Sequence, residues 1–331
     1  MRIRFAAIAL LAGLLFFLSI FLGSVYVSPA EVWQSLTGGE APLLSQKIVT
    51  AVRLPRALTA ALGGGGLAVA GLLMQTLFRN PLAGPSVLGL SSGASLAVAV
   101  TAMGGTGLVF GYYTQTIAAV IGSTAVLLII LAVARRFADV TVVLIVGLML
   151  SFFTSAVVGL LQSVADESSL KAFVYWGFGS FAGVGTAQMP VFAGPVIAGI
   201  LLSALLIKPL NALLPGEMHA KSMGVNTGRL RLAVMGITGM VTGVVTAFCG
   251  PVAFIGLAAP HFARMTFGSV NHGIILPASL GIGAVLGLLC DLIARRPFAD
   301  TGIPLNTVCA FMGAPVVIYL IFAGRRKKWL I

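Results

Sequence analysis

Ten apolar runs dominate the chain, near residues 5–25, 57–78, 86–103, 114–134, 141–163, 190–207, 230–249, 254–267, 274–295 and 305–323. A helix needs about 20 apolar residues to cross the hydrocarbon core of a bilayer, and the interiors of these runs are almost free of charge. No soluble domain absorbs a chain that is 59% hydrophobic and only 8% charged. Membrane β-strands alternate apolar and polar positions, whereas these runs are continuously apolar, which excludes a barrel. The pattern predicts an all-α polytopic membrane protein, with residues 1–331 forming one domain of about ten transmembrane helices. The 41 glycines suit helices that pack backbone to backbone in lipid. The third and eighth runs are short and broken by glycine, so their limits are set loosely. Met1-Arg2-Ile3-Arg4 and the apolar stretch after it resemble a signal peptide. That stretch is too long for a signal core, and we read it as the first span, uncleaved.

An even number of spans puts both termini on one side. With the N-terminus inside, fourteen of the 20 Lys and Arg residues fall in inner loops or ends, and Lys47, Arg53, Arg56, Lys171, Arg295 and Arg296 fall outside. Short cytoplasmic loops carry such an excess of Lys and Arg, so both termini are expected in the cytoplasm. The net charge of +12 then reflects topology and anionic lipid, and nucleic acid is not an expected partner.

The longest inner break, about 210–231, carries Lys208, Lys221, Arg229 and Arg231 around a single acid, Glu217. Pro215-Gly216 ends one short helix. Glu217 to Met223 is expected to form another, with its acid near the start and Lys221 near the end, as the helix dipole prefers, and Gly224 as its cap. Such a helix presents Ala220, Met223 and Val225 to the cytoplasm. On spacing alone it serves equally as a knob for a partner protein or as an ordinary loop.

Two outer segments exceed turns. Residues 26–56 open with Ser28-Pro29-Ala30-Glu31, a helix start, and close on Arg53-Leu54-Pro55-Arg56, a rigid pair of charges at the membrane surface. Residues 164–189 contain an interfacial helix from Ser168 to Trp176, after which a glycine-rich stretch re-enters the next span. Gly84-Pro85-Ser86-Val87-Leu88-Gly89-Leu90 is echoed by Gly250-Pro251 through Gly256-Leu257, the first expected at the inner face and the second at the outer. Broken segments on opposite faces mark an inverted repeat, although Gly-Pro is common at helix ends and chance competes. Cys249, Cys290 and Cys309 lie in or beside apolar runs without CxxC spacing and read as core residues. No metal site, and no cofactor bound by this chain, is expected.

Proton- or sodium-driven transporters need ionisable groups at mid-membrane. Here Asp291 lies near an outer end, four residues before Arg295, and His261 and Arg264 lie near an inner end, so each reads as structural. The sequence holds no GxxxxGK[ST] and no catalytic constellation, which argues against an ATPase or a membrane hydrolase. Uphill transport then requires an external engine.

Gly71-Leu72-Leu73-Met74-Gln75, Arg79-Asn80-Pro81-Leu82-Ala83-Gly84-Pro85, Leu88-Gly89 and Ser92-Gly93-Ala94 resemble the signature of the FecCD family. These are permease subunits of bacterial ABC importers for iron-siderophores, haem and cobalamin. Arg53-Leu54-Pro55-Arg56, Trp176-Gly177, Gly250-Pro251 to Pro260-His261 with Arg264, Asp291 to Arg295 and Gly313-Ala314-Pro315 extend the likeness from about Val27 to Ile321. The resemblance implies an inner-membrane homodimer with a central pathway, two cytoplasmic ATPases that hold the ATP and Mg, and one periplasmic binding protein. It implies docking of the binding protein at Arg53, Arg56 and Arg295, against which the residue-level alternative is interface anchoring. It implies ATPase coupling through Glu217, Ala220, Ser222, Met223 and Gly224, and a cytoplasmic gate at Asn80, Leu82, Val140 and Thr141. Asn80 equally suits a turn before Pro81. Gly302 stands where the family commonly has an acid, and Gly273 where it commonly has an arginine. The expected function is uptake of an iron chelate, with cobalamin uptake and a stand-alone secondary transporter as alternatives.

Overall fold

The computed structural model describes residues 1–104, 113–137, 139–295 and 302–324, and no strand occurs among them. Arg296 and the basic run 325–328, which entered the charge comparison, lie outside the described residues.

The chain begins with α1 (Arg2–Phe21), α2 (Pro29–Thr37) and α3 (Leu43–Lys47). It continues through a wide π-helical stretch, Ile48–Arg53, directly into α4 (Leu54–Leu77). Residues 53–56 are therefore helical and do not close a loop. Pro55 has no N–H to donate and its ring crowds the preceding turn, and the widened turn just before it accommodates both. Next come α5 (Leu90–Met103), α6 (Thr114–Arg136), α7 (Val140–Val164) and α8 (Glu167–Gly177). They are followed by α9 (Met189–Leu205), α10 (Ile207–Leu213), α11 (Glu217–Ser222) and α12 (Thr227–Cys249). Last are α13 (Ile255–Phe267), α14 (His272–Arg295) and α15 (Leu305–Gly324). Six described helices are long and apolar enough to cross a membrane, or seven if α9 and α10, bent by 57°, count as one span. The protein is a membrane-embedded, multi-pass helical bundle.

Its axis is α4, buried along most of its length against α14, α13, α12 and α9. Small residues make that possible. A Cβ added to Gly64 would lie 2.3 Å from the Gly283 carbonyl, and one on Gly71 only 1.6 Å from that of Gly256. Any side chain at either position forces helices apart.

Arg4 Nη1 donates to Thr266 O, Arg231 Nη1 to Phe137 O, and Asn211 receives the main-chain N–H of His272. These bonds gather the start of α1, the ends of α6 and α13, and the starts of α12 and α14 on one side, with α11; we call this the α11 face. The opposite α2/α8 face carries the end of α1, the end of α14 and the α8 loop. There Ser28 accepts from Glu31 N and Asp166 from Ser169 N, capping α2 and α8 as the sequence indicates. After α8 the chain turns at Gly179 (φ 72°), Ser180 N donates to Cys249 O, and Phe181 is fully buried in the core, which is the expected re-entry.

The two Gly-Pro echoes are not at opposite faces. Both open short helices, α5 and α13, and the openings meet inside the bundle. A Cβ on Gly256 would lie 2.9 Å from the Pro85 ring and 2.7 Å from Leu67 O. From there α5 runs toward α8, while α13 runs toward the N-terminus, where Phe267 lies against Phe5 with ring centroids 4.5 Å apart. A half-length helix leaves the chain's polar turn in the interior, where only packed protein can shelter it.

Candidate functional site

At the α2/α8 face Arg53 and Arg295 converge on the end of α1, and Arg56 joins them through Asp291. Arg53 is buried, and its Nη1 donates to Ile20 O and Phe21 O at 2.9 Å each while Nη2 donates to Val25 O. Arg295, also buried, donates from Nη1 to Ser19 O (2.8 Å) and from Nη2 to Ser19 Oγ (2.9 Å), and it pairs with Asp291 one turn earlier. Arg56 reaches the same carboxylate, with Nη2 2.9 Å from Oδ1, and keeps 20% of its side chain exposed. The last carbonyls of a helix lack intrahelical donors, and here two guanidinium groups supply them. Arg53 and Arg295 thus face inward and brace the bundle, which corrects the expectation that they present charge at a surface. Of the three, Arg56 alone retains accessible guanidinium. Asp291, fully buried, is the structural partner its spacing to Arg295 indicated.

At the opposite face, α10 and α11 hang below the long helices. Gly216, at φ 133°, opens α11. Its far end is a Schellman cap: Val225 N donates to Ala220 O and Gly224 N to Lys221 O, both at 3.0 Å, with Gly224 left-handed at φ 81°. Glu217 Oε1 lies 3.0 Å from Lys221 Nζ and accepts from Thr227 Oγ1 at 2.9 Å. The hydrogen-bonded Lys221 ammonium, with the Thr227 hydroxyl, holds the Glu217 carboxyl below the usual range. Ala220 and Val225 do not face outward as expected. Ala220 is fully buried in one apolar cluster with Leu213 and Leu230, and half-buried Val225 packs against that cluster, because the apolar stripe of so short a helix must cover the bundle end. The exposed apolar surface is Met223, at 62%, and Met218, at 81%, flanked by exposed Ser222 and Gly224. Met218 escaped the sequence reading; once Ala220 is turned inward, its position on the opposite side of one helical turn reveals it.

The turn after α4 carries Asn80 and Leu82. Asn80 Oδ1 accepts from Leu82 N at 2.9 Å and Ala83 N donates back to Asn80 O at 3.0 Å, so the turn role is real. Leu82 is 45% exposed. At the start of α7, Asp139 caps Thr141 N at 2.8 Å, leaving Thr141 exposed and Val140 half-buried. The Pro85–Leu88 turn seats on α7 at Gly147, so both segments belong to adjoining elements. His261 and Arg264 are structural contacts as well: His261 Nε2 lies 2.8 Å from Pro81 O, and Arg264 Nη1 donates to Gln75 Oε1 at 2.7 Å. Among the described residues no group of three or more His, Cys, Asp or Glu side chains is arranged to hold a metal ion.

This geometry matches known proteins along nearly its whole length. The profile of the FecCD transport family matches residues 10–323. The Fe(3+) dicitrate transport system permease protein FecC of Escherichia coli (strain K12) is 35% identical over 311 residues, 93% of each chain. The vitamin B12 import system permease protein BtuC of Klebsiella pneumoniae subsp. pneumoniae is 33% identical over 312 residues, covering 94% of this chain and 90% of that protein. A solved inward-facing structure assigned to the metal-chelate type of ABC transporter superposes with a TM-score of 0.85 at 29% identity, over 97% of this chain and 99% of that one. PsaBC from Streptococcus pneumoniae, solved with a Fab, shares the fold alone, at 17% identity and a TM-score of 0.57 over 88% of this chain and 95% of that one. The chain belongs to the FecCD transport family.

Proposed function

We propose that this FecCD-family permease takes up an iron chelate, a ferric siderophore or haem, as the membrane-crossing subunit of an ATP-driven importer. It sits in the bacterial inner membrane with the α11 face in the cytoplasm. The six long helices, the bent α9–α10 pair and the helices α5, α13 and α15 would make ten crossings, with both termini inside. Two copies form the pathway, two ATPases carry the ATP and Mg, and one periplasmic binding protein delivers the chelate. The observation that carries this reading is α11. It is a capped helix whose base is packed into the bundle and whose exposed apolar side chains are two methionines, flexible and suited to docking. A nucleotide-driven push on α11 would pass through α10 to α14 and the turn at Asn80–Leu82, moving packed elements as rigid bodies. Binding-protein docking falls to Arg56 among the three outer arginines. Cobalamin remains a competing cargo, since one relative imports vitamin B12.

The test is reconstitution in proteoliposomes with the co-encoded ATPase and binding protein. ATP-dependent accumulation of a ferric siderophore or haem, lost in a Met218→Asp/Met223→Asp permease that no longer retains the ATPase, is expected. Accumulation without ATP would establish the stand-alone transporter in its place, and accumulation of cobalamin alone would replace the cargo.

A further inference from the structure

The α11 face holds a second feature, a cavity that shares Asn80 with the turn after α4. The cavity, of about 170 Å³, lies between the end of α4, α10, α13 and the start of α14. Two arginines, Arg79 and Arg264, line it, and no Asp or Glu does. Among the described residues neither arginine forms an ion pair. Arg264 is half-buried and spends one N–H on Gln75 Oε1, an oxygen fixed by the donation of Gln75 Nε2 to Leu257 O at 3.1 Å. Its remaining N–H groups have no protein acceptor among the described residues. Asn80, also in the lining, uses its side-chain oxygen for Leu82 N, which leaves its amide N–H₂ as a donor.

Arg79 is the more telling residue. It occupies the left-handed position of a second Schellman cap: Asn80 N donates to Gln75 O at 3.2 Å and Arg79 N to Thr76 O at 3.3 Å, with Arg79 at φ 48°. Glycine takes that conformation without a Cβ penalty, and α11 uses Gly224 there. An L-residue in the left-handed region is strained, because its Cβ crowds the following carbonyl. Such strain persists where the surroundings over-determine it, and it clusters at ligand sites. A half-buried guanidinium without a counter-charge adds a desolvation cost that an anion would offset.

We propose that this cavity binds a phosphate oxyanion between Arg79 and Arg264. Guanidinium groups present paired N–H donors that match phosphate oxygens, and Asn80 adds a neutral donor. An ordered water takes about 30 Å³, so the space admits one phosphate group with part of its hydration shell. The phosphate comes either free from the solution or from the headgroup of an anionic lipid at the bundle's edge. Either way, occupancy ties the Asn80–Leu82 turn to α13 and resists movement of that turn.

The full-length permease is reconstituted in nanodiscs of phosphatidylcholine alone or with phosphatidylglycerol. Inorganic phosphate binding is followed by equilibrium dialysis in the first, and retained phosphatidylglycerol after detergent extraction is counted in the second. Arg79→Gly keeps the cap in its preferred residue while deleting the charge, so it folds; Arg264→Gln deletes the other, and thermal melting checks both. Saturable phosphate binding weakened about tenfold or more by each substitution identifies a free oxyanion. Retention of phosphatidylglycerol by the wild type, lost in both variants, identifies a headgroup. Absence of both, or binding that the folded Arg79→Gly variant leaves unchanged, overturns the proposal.

Discussion

The arginines of the two faces are chemically identical and differently employed. At the α2/α8 face Arg53 and Arg295 are buried and donate to main-chain carbonyls and Asp291. At the α11 face Arg79 is exposed and unpaired among the described residues, and Arg264 holds a single amide oxygen. Arg53 and Arg295 are consumed by the fold, as are Arg4 and Arg231 at the α11 face, whereas Arg79 and most of the Arg264 guanidinium are left available. Position relative to the membrane therefore does not decide whether an arginine is free to meet a partner. What decides it is whether a helix end with unpaired carbonyls lies within reach.

The contrast is sharpest at Asp291. Replacing it with Ala leaves Arg295 buried and Arg56 half-covered with no carboxylate, and breaking such a pair costs about 3–5 kcal/mol; thermal unfolding in detergent should show a large drop. Arg53→Gln removes charged donors from the α1 end and should cost about 2–3 kcal/mol in the same assay. Were it neutral, the bracing role would fail and the docking role would return. Arg79→Gly, at the other face, is expected to be neutral or up to about 1 kcal/mol stabilising, because it relieves left-handed strain. Gly224→Ala introduces that strain at φ 81° and should cost about 1 kcal/mol.

Glu217→Gln is the mildest, at about 0.5 kcal/mol or less, since its pair with Lys221 is exposed. Because folding lowers the Glu217 pKa, its contribution is complete above the unfolded carboxylate value of about 4.3. It disappears as pH falls through the lower folded value, so the two proteins should differ in melting temperature at pH 7 and converge in strong acid.

The long helices were legible because continuous apolar length determines them, whereas six or seven of the ten expected spans are long and apolar enough to cross a membrane among the described residues. The run at 141–163 became Val140–Val164 and the run at 305–323 became Leu305–Gly324. The caps at Ser28 and Gly224 and the Asp291–Arg295 pair were legible because they are local in sequence. Burial of Ala220 and of the Arg53 guanidinium was not, because each depends on an element distant in sequence: Leu213 and Leu230 for one, the end of α1 for the other. The meeting of Pro85 with Gly256 was hidden for a related cause. An apolar run locates a helix and carries no measure of depth, so a helix that begins halfway through the bundle reads as one that begins at its edge.

The widened turn at Ile48–Arg53 has a mechanical meaning. Kinks and bends concentrate where a π turn loosens the regular ladder, and this one sits where Arg53 is pinned to the end of α1. Below it, the 24 residues of α4 span roughly 36 Å, so a tilt of about 5° would swing its tip by about 3 Å. The fulcrum stands at one surface, and the arc is traced at the other, by Arg79.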